Sequence, residues 1–199
     1  MRARIYVEGG GDSKELHVRC REGFRRLLEK CGFAGRMPRL VACGGRTAVF
    51  DDFATAHANA ASGDYVAMLV DSEDPVADAE RTCAHLKQRD GLDKPGGACD
   101  EQVLLMTTCM ETWITSDRAA LRVHYGACLQ ENALPDLNNM ECRPRDAVQE
   151  ALVMATRACK TGYAKGRRSF EVLGKLHPAA LRRHLPSFGR FERVLGNRL

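Results

Sequence analysis

The sequence predicts an α/β domain, with a mostly parallel four-stranded sheet flanked by helices and a C-terminal extension that is helical and basic. Over residues 1–116, short β-prone runs alternate with stretches of helical periodicity, and glycines or acids follow each run. Residues 117–199 are helical and loop-rich in pattern. With 199 residues, 44% of them apolar, the chain can form one packed domain. We therefore expect a core over residues 1–116 and an extension over residues 117–199 that completes the same domain.

The first predicted unit is a strand, a glycine turn and a helix. The strand covers residues 5–7, the turn covers residues 9–11, and Asp12 or Ser13 caps the helix. The helix is predicted because apolar residues recur at helical spacing, namely Leu16, Cys20, Phe24, Leu27 and Cys31.

Three more strands are predicted, over residues 39–43, 64–70 and 102–106. The run at 64–70 is almost wholly apolar, which is typical of a strand covered on both faces. Helices are predicted after the second and third strands and within the extension, over residues 47–61, 76–88, 118–125, 145–159 and 169–176.

Carboxylates follow three of the four predicted strands. Glu8 follows the first strand, Asp71, Glu73 and Asp74 follow the third, and Glu111 lies beyond the fourth. The carboxyl ends of parallel strands meet at one edge of a sheet, so these acids should converge there. Converging carboxylates repel one another unless a cation neutralises them, and hard oxygen ligands suit Mg²⁺ or Mn²⁺. The pattern predicts one or two such ions at this edge.

Some of these residues have a plainer interpretation. Asp74 precedes Pro75 and is equally explained as the start of the next helix, because proline is favourable at a first helical position. Asp12 is better explained as a helix cap than as a ligand. The turn at residues 9–11 resembles a phosphate loop, but the GxGxxG spacing and the Gly-Lys-Ser/Thr sequence are absent.

The net charge of +4 conceals an uneven distribution along the chain. Residues 1–156 carry a net charge of −5, whereas residues 157–199 carry +9. The basic segment predicts salt-sensitive, sequence-independent contacts with nucleic-acid phosphates. A solvated helical face or an interface with an acidic partner explains it equally well. The candidate phosphate contacts are Lys165, Arg167, Arg168, Arg182 and Arg183, followed by His184, Arg190, Arg193 and Arg198.

The nine cysteines and the apolar pattern bear on the compartment. The cysteine count is odd, no export signal is recognisable, and no apolar run approaches the roughly 20 residues that cross a bilayer. We therefore expect a cytoplasmic protein, with no membrane partner, whose reduced cysteines are mostly small core residues. A zinc site is disfavoured because no CxxC or CxxH pair is present. Trp113 is interpreted as a core residue rather than one that stacks on a base.

The order of three strand-end motifs resembles Toprim domains, the Rossmann-like metal-binding modules of topoisomerases, primases and overcoming-lysogenization-defect nucleases. The motifs are Val7-Glu8-Gly9, Cys43-Gly44-Gly45 and Val70-Asp71-Ser72-Glu73. Residues 5–176 more closely resemble the bacterial Toprim-like family called domain of unknown function 4276. That family has counterparts of the stretches at 110–117 and 163–165.

The resemblance implies a role for each matched residue. Glu8 would be a metal ligand or a general acid or base, and Glu111 would help to complete a second metal site. Asp71 would be the first acid of the paired-acid motif, with Glu73 in the place of the second. Glutamate is one methylene longer than aspartate, so either the site is reshaped or Asp74 is the second ligand. Lys165 would lie near the scissile phosphate, and the catalytic residues would be Glu8, Asp71 and Lys165.

The predicted function is a Mg²⁺- or Mn²⁺-dependent nuclease, or a related phosphoryl-transfer enzyme, acting on DNA or RNA. The resemblance implies work in bacterial anti-phage defence beside an AAA-type or ABC-type ATPase, which would be a separate protein because this chain has no Walker motif. A homodimer is the default assembly.

Two other functions fit the sequence. One is a non-catalytic, Toprim-like subunit that binds an ATPase or nucleic acid, which the departure at Glu73 favours. The other is a receiver-like domain with Asp71 as phosphoacceptor. A receiver-like domain expects an acidic pair near the first strand, whereas this chain offers Glu8 and, four residues later, Asp12.

Overall fold

The computed structural model describes residues 2–199 and has a four-stranded parallel sheet. The strands lie in the order β2-β1-β3-β4. Their bounds are Ala3–Val7 for β1, Arg39–Ala42 for β2, Tyr65–Asp71 for β3 and Val103–Met106 for β4. The predicted α/β class with a parallel, Rossmann-like sheet is confirmed. Because β2 lies on one side of β1 and β3 on the other, the strand order reverses between β1 and β3.

Nine α-helices surround the sheet within residues 2–199. They are α1 (Lys14–Leu28), α2 (Arg46–Ala58), α3 (Thr82–Asp90), α4 (Met110–Ser116), α5 (Arg118–Tyr125), α6 (Arg145–Thr156), α7 (Arg167–Leu173), α8 (Pro178–His184) and α9 (Pro186–Arg198). The side chain of Ser13 caps α1 by accepting a hydrogen bond from the Leu16 amide. None of the helices in this part of the chain is both long and apolar enough to cross a membrane.

The predicted helix at 76–88 begins later than expected, because Pro75 does not start it. Residues 72–81 form bends and a turn, and α3 begins at Thr82. Glu73 has a left-handed backbone with φ of 67°, and the Ser72 hydroxyl donates to the Asp74 carbonyl. This tight turn carries the chain away from the end of β3 before a helix can form. The interpretation of Asp74 as a helix start is therefore wrong.

Two hydrophobic clusters cover the two faces of the sheet. One cluster joins the sheet to α1 and to α4–α9, and its residues come from positions between Ile5 and Leu195 in the chain. The other joins the sheet to α2 and α3. Trp113 is fully buried in the first cluster, with its ring against Phe24, Phe188 and Phe191. The helices after residue 117 thus share a core with the sheet, and Trp113 is a core residue, as predicted.

The cysteines differ from the prediction of reduced, mostly buried thiols. Cys128 and Cys159 form a disulfide, with their Cα atoms 5.1 Å apart. These residues follow α5 and α6, and the packing of the extension brings the two segments within bridging distance. Only Cys20 and Cys109 among the free cysteines are buried, whereas Cys99 and Cys142 are exposed. The prediction is therefore wrong for this pair. It holds for five of the seven free cysteines, because Cys31, Cys43 and Cys83 also pack half-buried against the two clusters.

Candidate active site

A cavity of about 380 Å³ lies at the carboxyl ends of β1 and β3, where the strand order of the sheet reverses. Ligands of parallel α/β sheets bind at such a switch point. The glycine turn after β1 forms one part of its wall. The charged residues that line it are Glu8, Asp71, Glu73, Glu111, Arg145 and Lys165.

The glycine turn is held closely against the end of β2. The amides and carbonyls of Gly9 and Gly44 exchange two hydrogen bonds, of 2.8 and 3.0 Å. Gly44 has φ of 80°, and a Cβ at this position would lie 2.8 Å from the Gly11 carbonyl oxygen. Only glycine fits both the dihedral and the close approach. The second strand therefore supports the wall of the cavity without contributing an acid.

Glu8 and Asp71 lie side by side at the ends of neighbouring strands. The Asp71 amide donates to Glu8 Oε2 at 3.1 Å, and the Met110 amide donates to Asp71 Oδ1 at 2.8 Å. The parallel register of β1 and β3 produces this contact, because it pairs Val7 with Leu69. The predicted convergence of these two acids is present.

Glu111 joins them from the first turn of α4. It is 2% exposed, and its carboxylate accepts hydrogen bonds from the Tyr163 hydroxyl at 2.5 Å and from the Gln149 amide at 3.2 Å. Both donors are uncharged at neutral pH. Burial and the adjacent Glu111 carboxylate raise the pKa of the Tyr163 hydroxyl, which keeps it a donor.

The ionised form of Asp71, which lies between Glu8 and Glu111, is disfavoured in this environment. Burial is the main cause that raises the pKa of Asp71 to about 8, and the charges of Glu8 and Glu111 add to it. The Met110 amide and Arg145 act in the opposite direction but do not cancel it. A carboxyl group with this environment is stabilised by a proton or by a cation. The cavity therefore favours positive charge beside Asp71.

Glu73 also lines the cavity, but its carboxylate lies within a cluster of arginines. Its carboxylate lies 3.1 Å from Arg46 Nη2 and 3.9 Å from Arg89 Nη2, and it also contacts Arg145. The expectation that Glu73 takes the place of a second metal-binding acid does not match this arrangement, because arginines already neutralise it.

Asp74 is also separate from the cavity. Its side chain is 65% exposed and pairs with Arg89 Nε at 2.8 Å. The turn at residues 72–74 sends successive side chains in different directions, so three acids close in sequence do not share one site. Asp12 is exposed and is not among the residues that line the cavity, so it does not form an acidic pair with Glu8 there.

Lys165 enters the cavity from the turn before α7. Within residues 2–199, no acidic side chain lies within salt-bridge distance of it. The close packing of α7 on α1 fixes this turn, since a Cβ at Gly23 would lie 2.5 Å from the Phe170 carbonyl oxygen. A lysine without an acidic partner is available to bind an anion in the cavity.

The other predicted phosphate contacts divide into two groups. Arg167 and Arg168 line a second cavity of about 480 Å³ that also includes Lys165. Arg182 instead pairs with Glu192 through contacts of 2.8 and 3.0 Å. Arg183 is exposed on the same helix. Lys165 lines both cavities and so joins Arg167 and Arg168 to the acidic one. The predicted contacts that glutamates already neutralise are Arg182, Arg190, Arg193 and Arg198.

Sequence reasoning missed Arg46, Arg145 and Gln149. Arg46 follows the glycine pair after β2, and Arg145 begins α6 directly after Pro144. The position after a strand-end glycine pair is a usable signal for Arg46. Nothing local distinguishes Arg145 or Gln149 from other surface residues at a helix start, because their role depends on where α6 packs.

The acids at the cavity can be tested against the chemistry of a hard divalent cation. Glu8, Asp71 and Glu111 supply carboxylate oxygens, which are the ligands that suit Mg²⁺ or Mn²⁺. The raised pKa of Asp71 shows that a positive charge beside it would be favourable. Asp74 does not fit, because it lies outside the cavity and pairs with Arg89. Glu73 fits less well than Glu8, because Glu73 contacts three arginines and Glu8 contacts one, Arg46, at 3.5 Å. In residues 2–199, no three His, Cys, Asp or Glu side chains are already arranged as ligands of one ion. Binding would therefore require the carboxylates to move closer together.

The fold and the cavity define an α/β domain that gathers carboxylates at the switch point of a parallel sheet. Residues 7–196 match the family described as Domain of unknown function (DUF4276), and the chain belongs to that family. No curated protein and no solved structure matches the chain.

Proposed function

We propose that this protein is a Mg²⁺- or Mn²⁺-dependent nuclease with a Toprim-like site, acting on DNA or RNA. The observation that carries the proposal is the convergence of Glu8, Asp71 and Glu111 on one cavity that Lys165 also lines. Three segments far apart in sequence supply these groups. A structural cluster of acids would be expected to pair with bases. Asp71 instead has no basic side chain within salt-bridge distance among residues 2–199, and burial together with the charges of Glu8 and Glu111 raises its pKa to about 8.

The proposed roles follow from the contacts of each side chain. Glu8, Asp71 and Glu111 would hold the cation, which supplies polarisation of the phosphoryl oxygens and a lowered pKa of an attacking water. The Met110 amide and the pair Tyr163 and Gln149 orient Asp71 and Glu111 for this task. Lys165 would neutralise charge that develops on the phosphate during cleavage.

The test is cleavage by the purified chain. We expect plasmid DNA, single-stranded DNA or tRNA to be cut in Mg²⁺ or Mn²⁺ and left intact in EDTA. Asp71→Asn should abolish the cleavage while the protein stays folded. The proposal is wrong if the wild-type chain cuts none of these substrates, alone or with a partner ATPase. Cleavage that survives Asp71→Asn would show that the nuclease site lies elsewhere.

A second candidate is a non-catalytic subunit that binds nucleic acid or an ATPase. The observation that favours it is the neutralisation of Glu73 by arginines, which removes one of the acids that the resemblance implies. Mn²⁺ binding separates the two candidates. A thermal shift with Mn²⁺ that is lost in Asp71→Ala supports the nuclease, and its absence in both proteins supports the non-catalytic subunit.

We further propose that the chain works with a separate AAA-type or ABC-type ATPase in anti-phage defence. This part of the proposal rests on the resemblance to Toprim-containing nucleases. Co-expression with an ATPase encoded beside it should yield a complex and raise the rate of cleavage. Failure of the two proteins to copurify, together with an unchanged rate, would remove the partner from the proposal.

A further inference from the structure

Two basic residues, Arg145 and Lys165, line the cavity, and the proposed function assigns a role only to Lys165. Arg145 is the first residue of α6, and its side chain is 29% exposed. Its guanidinium contacts the Glu73 carboxylate, while its Nε is buried without a hydrogen-bond partner among the described residues. The guanidinium therefore lies at the cavity with part of its donor capacity unused.

Glu73 remains neutralised when Arg145 is taken away. Arg46 contacts Glu73 Oε1, and Arg89 lies near Oε2. Arg46 is 13% exposed and also contacts Glu8, Asp90 and the Asp71 carbonyl, so it is fixed in place. Arg145 has no comparable second anchor, since Asp146 lies 3.9 Å away and is 88% exposed. Arg89 is likewise anchored, by Asp74 and Asp90. Of the three arginines, Arg145 is the one that Glu73 alone holds closely, so it is the one that can turn to another anion without breaking a second close ion pair.

We propose that Arg145 is a phosphate-binding residue, held by Glu73 in the free protein and transferred to a backbone phosphate when nucleic acid enters the cavity. This inference rests on the proposed function, since it requires a phosphate-bearing substrate. A guanidinium presents paired donors that match two phosphate oxygens, which the Lys165 ammonium does not. Glu73 is then the holding residue for an arginine, instead of the second metal-binding acid that the resemblance implies.

The charge distribution in the cavity would orient a bound phosphodiester. The acids Glu8, Asp71 and Glu111 favour a cation, whereas Arg145 and Lys165 favour anionic oxygens. A phosphodiester between these groups would face the cation with some of its oxygens and the two basic side chains with others. The adjoining cavity lined by Arg167 and Arg168 extends the basic wall beyond Lys165.

The test is binding of a fluorescein-labelled single-stranded oligonucleotide, measured by anisotropy in EDTA so that cleavage does not interfere. Arg145→Ala should weaken binding about tenfold, as expected for loss of a charge-assisted contact. Arg145→Lys should recover part of the affinity, since it keeps the charge and loses the paired donors. The matched control is Arg157→Ala at the exposed far end of α6, which should stay within about twofold of the wild-type affinity.

Glu73→Gln provides the sharper measurement because it releases Arg145 without truncating a side chain. We expect this variant to bind the oligonucleotide about threefold more tightly, since Arg145 no longer has to leave a carboxylate. The gain should vanish in Glu73→Gln/Arg145→Ala, which is the non-additivity that a shared contact produces. A gain that persists in the double variant would overturn the inference.

The outcomes separate this inference from the nuclease itself. Wild-type affinity in Arg145→Ala, or no oligonucleotide binding by the wild-type protein, overturns the role of Arg145. Metal-dependent cleavage with unchanged KM in Arg145→Ala overturns it as well and leaves the nuclease standing. Binding that depends on Arg145, in a protein that cuts nothing in Mg²⁺ or Mn²⁺, supports this inference and removes the nuclease. Thermal unfolding of each variant shows that the binding changes come from folded protein.

Discussion

The C-terminal helices and the cavity both concentrate charge, and they differ in how that charge is neutralised. In α8 and α9, Arg182, Arg190 and Arg198 each pair with a glutamate, two of these acids lying outside these helices. In the cavity, the charged side chains with the largest influence on the pKa of Asp71 are two acids, Glu8 and Glu111. The paired arginines attach the extension to the body of the protein. The acids around Asp71 are less fully neutralised, so charge serves packing in the C-terminal helices and remains partly uncompensated at the cavity.

Removing the central acid should produce the largest effect and the sharpest contrast. Asp71→Asn should lower the rate of metal-dependent cleavage by at least about 100-fold, since even outer residues of metal sites cost up to that much. Arg182→Gln should leave the cleavage rate within about threefold of the wild-type rate, because Arg182 is already paired with Glu192. The measurement is initial rate on one substrate at saturating Mn²⁺. Equal losses in both variants would erase the distinction between the two regions.

Two arginines that share one glutamate test the structural side of the comparison. Arg190 is 6% exposed and binds both Glu80 and the Asp100 carbonyl, whereas Arg193 is 53% exposed and binds Glu80 alone. Arg190→Ala should lower the free energy of unfolding by about 1–3 kcal/mol, and Arg193→Ala by less than about 1 kcal/mol. Urea denaturation of both variants measures the difference. Similar losses in both would show that burial does not decide the strength of these contacts.

The pH dependence of stability tests the unbalanced charge at the cavity. The pKa of Asp71 is about 8 in the folded protein, against about 4 in an unfolded chain. Between these values the folded state holds a proton that the unfolded state has released. The free energy of unfolding in EDTA should therefore fall as pH rises through this window, by up to about 1.4 kcal/mol per pH unit from this group.

Asp71→Asn is the control for this dependence, since it keeps the shape and removes the titration. Urea denaturation at pH 5, 6, 7 and 8 should give a smaller slope in the variant than in the wild-type protein. A variant that keeps the full wild-type slope would assign the dependence to other groups and weaken the case for a cation beside Asp71.

The smallest expected effect is on the salt dependence of nucleic-acid binding. Lys165→Ala should lower the slope of log K against log salt concentration by about one unit, because Lys165 has no acidic partner in the described part of the chain from which it would have to separate. Arg182→Ala should leave the slope unchanged, since its charge is already paired with Glu192. Anisotropy titrations between low and physiological salt measure both. A slope that falls equally in the two variants would mean that the paired arginine also reaches phosphate.

Much of the fold could be predicted because its signals are local. The apolar run that became β3 and the glycine turn after β1 depend on neighbouring residues alone. The convergence of Glu8, Asp71 and Glu111 followed from the rule that parallel strands end at one edge. The helix predicted at 76–88 begins only at Thr82, and the cause is equally local. The left-handed residue Glu73 redirects the chain, and neither Asp74 nor Pro75 reveals this in the sequence.

The arginines and the disulfide could not be predicted from their surroundings in the sequence. Arg145 contacts Glu73, and Cys128 meets Cys159, only because α6 and the segment after α5 pack as they do. The basic segment was treated as one unit, yet the structure divides it. Lys165, Arg167 and Arg168 border the cavities, while Arg182 pairs with Glu192.

The sequence by itself determined the α/β class, the parallel sheet and the edge at which acids collect, because these depend on short-range periodicity and on the direction of strands. Only the tertiary structure decided which charges are paired. Whether a side chain lies within 4 Å of an opposite charge depends on backbone dihedrals and helix packing between residues far apart in the chain. This is the reason that Glu73, two residues from Asp71 in sequence, is neutralised by arginines, whereas Glu111, from another segment, meets only uncharged donors at the same cavity.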